Sequence, residues 1–325
     1  MHFVVTGGAG FIGSHLVEHL VTAAGSHDVT VLDDFSTGRR ENLTPWLGRI
    51  RVVEGSVTDL DACRAAVAGA DYVLHQAALP SVPRSLRDPA ASHEANATGT
   101  LNVLIAARDA HVTRVVYAAS SSAYGNTAEL PKREDMLPRP LSPYAAAKYA
   151  GEQYCRAFHA SFGLGTIALR YFNVFGPRQD PSSQYAAVIP KFITCAQTGE
   201  APTIFGDGEQ TRDFTYVANV VRANLLACEA PPTALGDAYN VGCGARVSVN
   251  GLWRRICGMM GTSVEARYEP SRVGDVRDSL ASLDRARAML GYTPVVALDE
   301  GLRETVRALT GRDPAVAGSG AAAGR

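Results

Sequence analysis

The chain has 325 residues, of which 46% are apolar and 19% charged, and its 31 basic residues nearly balance 32 acidic ones. This composition supports a packed core and excludes an intrinsically disordered protein. The formal net charge of −1 provides no bulk attraction to nucleic acid or to an anionic membrane, so neither is an expected partner.

Six cysteines are scattered singly through the sequence. They show no CxxC or other metal-ligand spacing, so we expect no metal site and reduced, mostly buried thiols. No apolar run approaches the ~20 residues of a membrane helix, and no secretory leader precedes the first apolar run. We therefore expect a cytosolic protein.

The first half of the chain alternates short apolar runs with segments of helical period. Strands are predicted at 3–6, 29–32, 51–53, 72–75, 115–118 and 166–169, and helices at 11–24, 60–68, 96–110 and 143–162. Such alternation indicates parallel strands joined by right-handed crossovers. The sequence therefore predicts an α/β fold with a doubly wound parallel sheet of the Rossmann type.

From about residue 171 the elements become shorter, with more Pro and Gly between them. Helices are predicted at 186–197, 216–228 and 249–259, and a late strand at 239–241. We expect a Rossmann domain over 1–170, to which the late strand returns, and a smaller mixed α/β substrate lobe over 171–314. The Gly- and Ala-rich tail, 315–325, is expected to be disordered.

A glycine cluster follows the first predicted strand directly. Gly7, Gly10 and Gly13 form a GxxGxxG pattern at the start of a predicted amphipathic helix. Glycine allows the tight turn and the close approach to a pyrophosphate, and the helix offers unpaired N–H groups at its positive end. A plain tight turn is the alternative for the glycines alone, but their position between strand and helix favours a dinucleotide site.

The end of the second strand carries an acidic residue. Asp33 lies twenty residues after Gly13, where a carboxylate binds the ribose hydroxyls of adenosine. A carboxylate there repels a 2′-phosphate, which favours NAD over NADP. Arg39 and Arg40 follow a few residues later and leave the opposite preference open, and a loop that merely solvates Asp33 is a further alternative.

A tyrosine and a lysine stand four apart at a predicted helix start. Ser142 is suited to cap that helix and Pro143 fits its first position. Tyr144 and Lys148 then share one face, and a nearby ammonium is expected to lower the pKa of the phenol from its usual ~10. Such a phenol exchanges protons near neutrality. The alternative is a core tyrosine with a solvated lysine.

The strand predicted at 115–118 runs into Ser120, Ser121 and Ser122. Open α/β sheets bind ligands at the carboxyl ends of their strands. Ser120 is therefore placed to hydrogen-bond the same substrate oxygen that Tyr144 deprotonates, while a simple turn is the alternative.

Together these motifs identify a resemblance. TGGAGFIGS at 6–14, YAASSSAYG at 117–125 and SPYAAAK at 142–148 resemble the extended short-chain dehydrogenase/reductase family. LRYFNVFGPRQDP at 169–181 and GDGEQTRDF at 206–214 are similar to the UDP-sugar 4-epimerases, most of all the bacterial type that acts on UDP-N-acetylglucosamine. The resemblance extends to about residue 310.

The resemblance implies a role for each matching residue. Tyr144 would be the acid/base, Lys148 would orient the nicotinamide ribose, and Ser120 would bind the sugar 4-oxygen. Contacts to NAD are implied for Gly7, Gly10, Phe11, Ile12, Gly13, Asp33, Val57, Ala77, Tyr144 and Lys148. Contacts to the UDP-sugar are implied for Ser81, Ser121 and Ser122 at the sugar, Asn173, Arg212 and Arg272 at the phosphates, Ala187 and Val188 at the uracil, Asp275 at the uridine ribose, and Ser279.

Two positions bear on specificity within this resemblance. Ser279 would face the C2 substituent of the sugar, where a serine leaves the room for an N-acetyl group that a tyrosine fills. Where relatives carry an Asp to meet the adenine amine, this chain has Ser56 followed by Val57. Asp59 stands three residues after Ser56. That departure puts one adenine contact in doubt.

The implied activity is a redox-neutral inversion at C4 of a UDP-hexose through a 4-keto intermediate, on N-acetylated or plain hexoses. Ser121 and Ser122 stand where sister dehydratases and decarboxylases carry carboxylates, which favours an epimerase. A UDP-glucuronate 4-epimerase remains an alternative, although such enzymes typically carry Thr at the position of Asn173. A catalytically silent NAD sensor is disfavoured because Ser120, Tyr144 and Lys148 are all present. The resemblance also implies a homodimer through helices 96–110 and 143–162.

Overall fold

The computed structural model of the chain describes residues 1–24, 27–181, 187–271 and 276–314. Within them the strands are β1 (His2–Thr6), β2 (Asp28–Asp33), β3 (Arg51–Glu54), β4 (Tyr72–His75), β5 (Arg114–Ser120), β6 (Gly165–Tyr171), β7 (Val174–Phe175), β8 (Thr203–Phe205), β9 (Thr211–Arg212), β10 (Thr215–Tyr216), β11 (Asp237–Val241), β12 (Val247–Ser248) and β13 (Arg267–Glu269). The helices are α1 (Phe11–Thr22), α2 (Leu60–Val67), α3 (Val82–Arg87), α4 (Pro89–His93), α5 (Gly99–Asp109), α6 (Pro143–Phe162), α7 (Val188–Thr198), α8 (Val217–Glu229), α9 (Val249–Met260), α10 (Asp284–Leu290) and α11 (Leu298–Thr310).

Seven strands form one parallel sheet in the order β11-β6-β5-β4-β1-β2-β3. The chain winds outward from β1 in both directions, so β1 and β4 are neighbours at the point where the strand order reverses. A crevice opens beyond the carboxyl ends of strands at such a point. The architecture confirms the predicted α/β fold with a doubly wound Rossmann-type sheet.

Helices cover both faces of the sheet, which is why its strands are apolar along nearly their whole length. On one face α1 and α8 contribute Leu16, Leu20 and Val220 to a buried cluster. On the other face α2, α5 and α6 enclose a second cluster that includes Val103 and Phe158. These two layers cover the faces of the sheet, and the cleft described below lies at its carboxyl edge.

The second half of the chain contributes both to the sheet and to a separate core. β11 pairs with β6, with Tyr239 opposite Leu169. Other elements bury Phe192, Trp253 and Leu302 in a third cluster, which is the core of the smaller mixed lobe. The division of the chain at residues 170 and 171 remains a proposal.

Several predicted features fall beyond the described ranges. The helix predicted from 186 begins at Val188 as described, and residue 186 itself lies outside. The tail 315–325, predicted to be disordered, also lies outside the described residues. Among the helices that are described, none has both the length and the apolar character of a membrane span.

Helix α6 begins as the sequence predicts and is locked to the sheet along its buried face. The Ser142 hydroxyl accepts a hydrogen bond from the backbone N–H of Ala145 (3.2 Å), and Pro143 is the first helical residue. Further along, Gly151 lies against Tyr117 of β5. A Cβ atom at Gly151 would be 2.5 Å from the Tyr117 hydroxyl, so only glycine allows this approach.

A buried ion pair also fixes α6 to β6. The Arg170 guanidinium donates from Nε and Nη2 to the two Glu152 carboxylate oxygens, at 2.8 and 2.7 Å, with both side chains less than a tenth exposed. A planar two-point contact of this kind sets both the position and the rotation of the helix. Because Glu152 is one turn after Lys148, the pair sets the position of Lys148 as well.

We expect Arg170→Met to destabilise the protein by about 3–5 kcal/mol, because it leaves the Glu152 carboxylate buried without its partner. The double variant R170M/E152M should recover most of that loss, since neither charge then remains. Urea unfolding followed by circular dichroism measures both. Equal or additive losses in the single and double variants would contradict the idea that the unpaired charge is the cause.

Candidate active site

A cleft with a cavity volume of about 550 Å³ opens at the carboxyl ends of the central strands. All of the predicted cofactor residues lie in its wall: Gly7, Gly10, Phe11, Ile12, Gly13, Asp33, Val57, Ala77, Tyr144 and Lys148. Of the predicted substrate residues, the wall contains Ser120, Ser121, Ser122, Asn173, Arg212 and Ser279. Residues from both halves of the chain thus meet in one site.

The glycine turn at one end of the cleft is closely packed. Gly7 has φ +68°, and a Cβ atom there would be 2.7 Å from the Ala77 backbone. A Cβ at Gly13 would be 2.1 Å from the Gly7 carbonyl oxygen. The N-terminus of α1 has no side-chain cap and no acidic residue in its first turn. Its N–H groups and positive dipole end are therefore open to a pyrophosphate, which fits a dinucleotide.

Asp33 lies at the end of β2, where the sequence predicted a carboxylate that binds ribose hydroxyls. Its Oδ2 accepts from the Ala9 backbone N–H and its Oδ1 from that of Phe35, both at 2.8 Å. Burial raises the pKa of Asp33. The neighbouring Asp34 is exposed and bonds to Ser36, so it is Asp34 that fits the solvated-loop alternative.

Beyond the end of β3, the cleft wall contains Ser56 and Val57 but not Asp59. Asp59 instead caps α2, accepting from the backbone N–H groups of Asp61 (2.9 Å) and Ala62 (3.3 Å). Its carboxylate is thereby committed to the helix, as a residue in the N-cap position usually is. The departure seen in the sequence therefore persists in three dimensions.

Ser120, Tyr144 and Lys148 converge deep in the cleft. Ser120 ends β5, and its Oγ lies 2.8 Å from that of Ser122. Tyr144 makes a hydrogen bond with the Ser120 side chain, which acts to lower its pKa. The Lys148 ammonium is buried and makes no hydrogen bond within the described residues. An unpartnered buried ammonium in a cleft wall fits a ligand hydroxyl pair such as that of a ribose.

The predicted effect of Lys148 on Tyr144 is wrong for this structure. Burial is the largest influence on the phenol and raises the pKa of Tyr144, and the hydrogen bond with Ser120 only partly opposes it. Burial also lowers the pKa of Lys148 to about 7. The sequence pattern placed the two residues together but did not reveal how deeply the fold buries them.

A directed hydrogen-bond chain links β1, β4 and α5 through buried His75. The Ala77 N–H donates to Thr6 Oγ1 (3.2 Å), which lies 2.7 Å from His75 Nδ1. His75 Nε2 lies 3.0 Å from Thr100 Oγ1, which donates to the Asn96 carbonyl. Since each hydroxyl has one hydrogen, His75 carries its proton on Nε2.

Tyr117 connects this chain to α6. Its ring lies 5.5 Å from that of His75, and its hydroxyl donates to the Lys148 carbonyl at 3.1 Å. The Lys148 ammonium lies 4.9 Å from the centroid of the same ring. An aromatic face attracts a cation, so Tyr117 positions both the backbone and the head group of the lysine.

A buried carboxylate, that of Asp213, supports the part of the cleft to which the second half of the chain contributes. Asp213 accepts from the backbone N–H groups of Cys243 (2.8 Å), Gly244 (3.0 Å) and Ala281 (3.1 Å). Burial still raises the pKa of Asp213 to about 6.

Asp213 thereby sets the geometry of two predicted substrate residues. Asn173 Nδ2 donates to the Asp213 carbonyl (3.3 Å) and to Ser279 Oγ (3.2 Å). Ser279 Oγ also accepts from the Asp213 backbone N–H (3.4 Å). Arg212, the residue before, donates from Nη1 to the carbonyls of Thr211 and Arg277, at 2.9 and 2.7 Å.

Three other predicted substrate residues are not in the cleft wall. The Ser81 hydroxyl accepts from the Arg84 N–H and caps α3, from a backbone with φ +101°. Ala187 and Val188 form the N-terminus of α7, and the described cleft wall does not include them. Arg272 and Asp275 lie outside the described residues.

Comparison with known proteins decides the family. A profile of the NAD dependent epimerase/dehydratase family matches residues 3–242. The chain belongs to this family. Its cofactor is accordingly NAD, which agrees with the glycine turn and with the position of Asp33.

Individual relatives extend the comparison over nearly the whole chain. The UDP-glucose 4-epimerase of Mycolicibacterium smegmatis is 40% identical over 310 residues, covering 94% of this chain and 97% of that protein. The structure of a UDP-glucose 4-epimerase from Thermotoga maritima with UDP-glucose superposes with a TM-score of 0.90 at 39% identity, covering 95% and 98%. A UDP-N-acetylglucosamine 4-epimerase from Methanobrevibacter ruminantium, in complex with UDP-N-acetylmuramic acid, has a TM-score of 0.89 at 39% identity, covering 94% and 97%.

A UDP-glucuronic acid 4-epimerase from Bacillus cereus is also similar, with a TM-score of 0.88 at 30% identity, covering 95% of this chain and 99% of that one. These findings confirm the resemblance to UDP-sugar 4-epimerases that the sequence motifs indicated.

The structure of this family member adds cleft residues that sequence reasoning missed. Gln76 and Tyr171 both line the cleft and are joined to buried Asn224. Asn224 Nδ2 donates to the Tyr171 hydroxyl (2.8 Å), and Gln76 Nε2 donates to Asn224 Oδ1 (3.1 Å). Gln179 also lines the cleft, and its position in the GPRQDP run is the only sequence signal that pointed to it.

His75 should make stability depend on pH. Burial first, and the nearby Lys148 second, lower the pKa of His75 to about 3, whereas the unfolded chain binds this proton near ~6.5. Below neutrality the unfolded state therefore binds more protons than the folded state. The free energy of unfolding consequently decreases as the pH is lowered. By pH 5 the loss from His75 should be about 2 kcal/mol.

Urea midpoints at pH 7.5 and 5.0 measure this loss. His75→Gln should shrink the difference between the two pH values even if it lowers both midpoints. His93→Gln, at an exposed histidine, should leave the difference unchanged. An undiminished difference in H75Q would contradict the assignment.

Proposed function

We propose that the protein is a UDP-sugar 4-epimerase that inverts C4 of a UDP-hexose without net oxidation. Its candidate substrates are UDP-N-acetylglucosamine with UDP-N-acetylgalactosamine, and UDP-glucose with UDP-galactose. The observation that carries the proposal is the convergence of Ser120, Tyr144 and unpartnered Lys148 in one cleft, beside Ser121 and Ser122 rather than carboxylates.

The protein's own residues would handle the proton and the orientation of the sugar. Ser120 would hold the 4-oxygen, and the Tyr144 phenol would take the proton of that hydroxyl and later return it. Lys148 would bind the nicotinamide ribose. The glycine turn and Asp33 would hold NAD, which when bound would supply reversible oxidation of the C4 carbinol to a ketone. Because the cycle is redox-neutral, NAD should remain bound between turnovers.

The charges in the cleft support an epimerase over a sister dehydratase or decarboxylase. The carboxylates in its described wall are Asp33 and Asp34, and both lie at the end of β2, next to the glycine turn. Expulsion of a C6 hydroxyl needs a further acid and base beside the sugar. The hydroxyls of Ser121 and Ser122 occupy the positions beside Ser120, and neither ionises to serve as that base.

A UDP-glucuronate 4-epimerase is the second candidate, because an enzyme of that kind is among the similar structures. A uronate adds a carboxylate to the two phosphates of the nucleotide. The described cleft wall holds two cations, Lys148 and Arg212, and Arg212 already donates to two backbone carbonyls. Asn173, where uronate enzymes typically carry Thr, also supports a neutral hexose.

Two further expectations stay predictions. The resemblance implies a homodimer through α5 and α6, and Tyr154 and Phe162 are exposed on α6 at 39% and 54%. The cytosolic location expected from the cysteine pattern is likewise a prediction.

A kinetic panel tests the proposal directly. UDP-hexoses, UDP-N-acetylhexosamines and UDP-uronates are incubated separately with the purified protein, and the 4-epimer formed is quantified by chromatography. We expect turnover of at least one neutral pair, and the absence of any 4-epimer would refute the function.

Tyr144→Phe should reduce kcat by at least ~10²-fold while leaving UDP binding unchanged, because it removes only the proton-exchanging hydroxyl. Near wild-type rates of epimer formation in Y144F would refute the acid/base role of Tyr144.

Ser279→Tyr should selectively depress the N-acetylated reaction. Ser279 is buried and hydrogen-bonded to Asn173, so a tyrosine there fills the cleft beside the sugar. We expect kcat/KM for UDP-N-acetylglucosamine to fall at least ~10-fold more than for UDP-glucose, the size of a steric clash in a pocket. Ser279→Ala is the matched control, since it removes the hydroxyl and adds no bulk. Equal losses on both substrates in S279Y would contradict a role in size selection.

A further inference from the structure

Next to Asp33, outside the residues that line the cleft, lies an exposed ion pair that the proposed reaction does not use. Asp33 at the end of β2 lies directly opposite Glu54 at the end of β3, and the Gly55 N–H donates to the Asp33 carbonyl (3.1 Å). Arg40 approaches the same corner from the turn after β2. Its Nη2 lies 2.6 Å from Glu54 Oε1.

The guanidinium of Arg40 is held in place on two sides. Besides its ion pair with Glu54, it lies 3.8 Å over the ring of Phe35, whose backbone N–H donates to Asp33. The segment that carries it is fastened to the glycine turn, because Arg39 N–H and Asn42 Nδ2 both donate to the Ala9 carbonyl, at 3.0 and 2.8 Å. The Arg40 guanidinium is thus held near Asp33, the carboxylate predicted to bind the adenosine ribose.

An arginine at this corner is the usual means of binding a 2′-phosphate, as in NADP sites. Arg40 has the position for that role, but its charge is already matched by Glu54. The neighbouring Arg39 is likewise engaged, since its Nη2 lies 2.9 Å from Asp180 Oδ1. Asp33 contributes a further negative charge. A 2′-phosphate entering here meets two carboxylates before it meets an available guanidinium.

We propose that Glu54 is a determinant of cofactor specificity, because it holds Arg40 in an ion pair that denies the cation to the 2′-phosphate of NADP. Asp33 then accounts for binding of the ribose hydroxyls and for repulsion of a 2′-phosphate, and Glu54 adds to the rejection of the phosphorylated cofactor. Without Glu54, Arg40 remains stacked on Phe35 with its donors directed to the same corner.

The proposal is tested by the nucleotide that the full-length protein retains, with no sugar present. Protein stripped of nucleotide with charcoal is equilibrated with equal concentrations of NAD⁺ and NADP⁺ and desalted, and the bound nucleotides are quantified by chromatography. Glu54→Gln keeps the shape of the side chain and removes its charge. We expect E54Q to raise the ratio of bound NADP to bound NAD by on the order of fivefold, the size expected for one exposed charge acting on a phosphate through water.

Two variants separate this mechanism from a general change in charge. Glu41→Gln removes an exposed carboxylate from the same turn as Arg40 and should leave the ratio unchanged. The double variant E54Q/R40Q should lose the gain, because no guanidinium is then available. An unchanged ratio in E54Q, an equal rise in E41Q, or a gain that survives without Arg40 would each overturn the proposal. Because binding is measured without sugar, the result is independent of whether the proposed epimerase reaction is correct.

Discussion

The site depends on keeping one ammonium, that of Lys148, buried and without a hydrogen-bond partner in the part of the chain that the structure describes. Burial of an unpaired charge is costly, and the protein responds by releasing the proton more easily, with the pKa of Lys148 falling to about 7. The strain is tolerated because α6 has little freedom to move the residue elsewhere. The Tyr117 hydroxyl holds its carbonyl, Gly151 lets β5 approach, and Glu152 binds Arg170 one turn later. A ligand that brings acceptors to this ammonium relieves the cost on binding.

The motifs predicted the position of the cleft because each of them places a functional residue type at the end of a predicted strand or at the start of a predicted helix. Gly7 and Gly13 had to follow β1, Ser120 had to end β5, and Tyr144 and Lys148 had to share one helical face. Each of these follows from local periodicity, which a sequence displays directly. The same holds for Ser142 as the cap of α6.

What the sequence did not reveal are effects that arise only from packing. The pKa of Tyr144 rises because of burial that no four-residue spacing encodes. Asp213 joins segments near 243 and 281 that are distant in the chain, so its role had no local signal. Ser81 matched the family pattern, yet its hydroxyl is used to begin α3, a short helix that the hydrophobic period did not predict. Tertiary contacts that join remote segments are the common cause of these differences.

The pairing of β11 with β6 bears on how such a protein can be divided or recombined. Every residue of β6 is buried, and β11 provides the neighbour that covers its outer edge. A fragment ending at residue 170 would expose that row of unpaired backbone groups, a template for aggregation. The first half of the chain therefore cannot be exchanged between homologues on its own. A swap has to include both β6 and β11, even though the 65 residues of 172–236 lie between them.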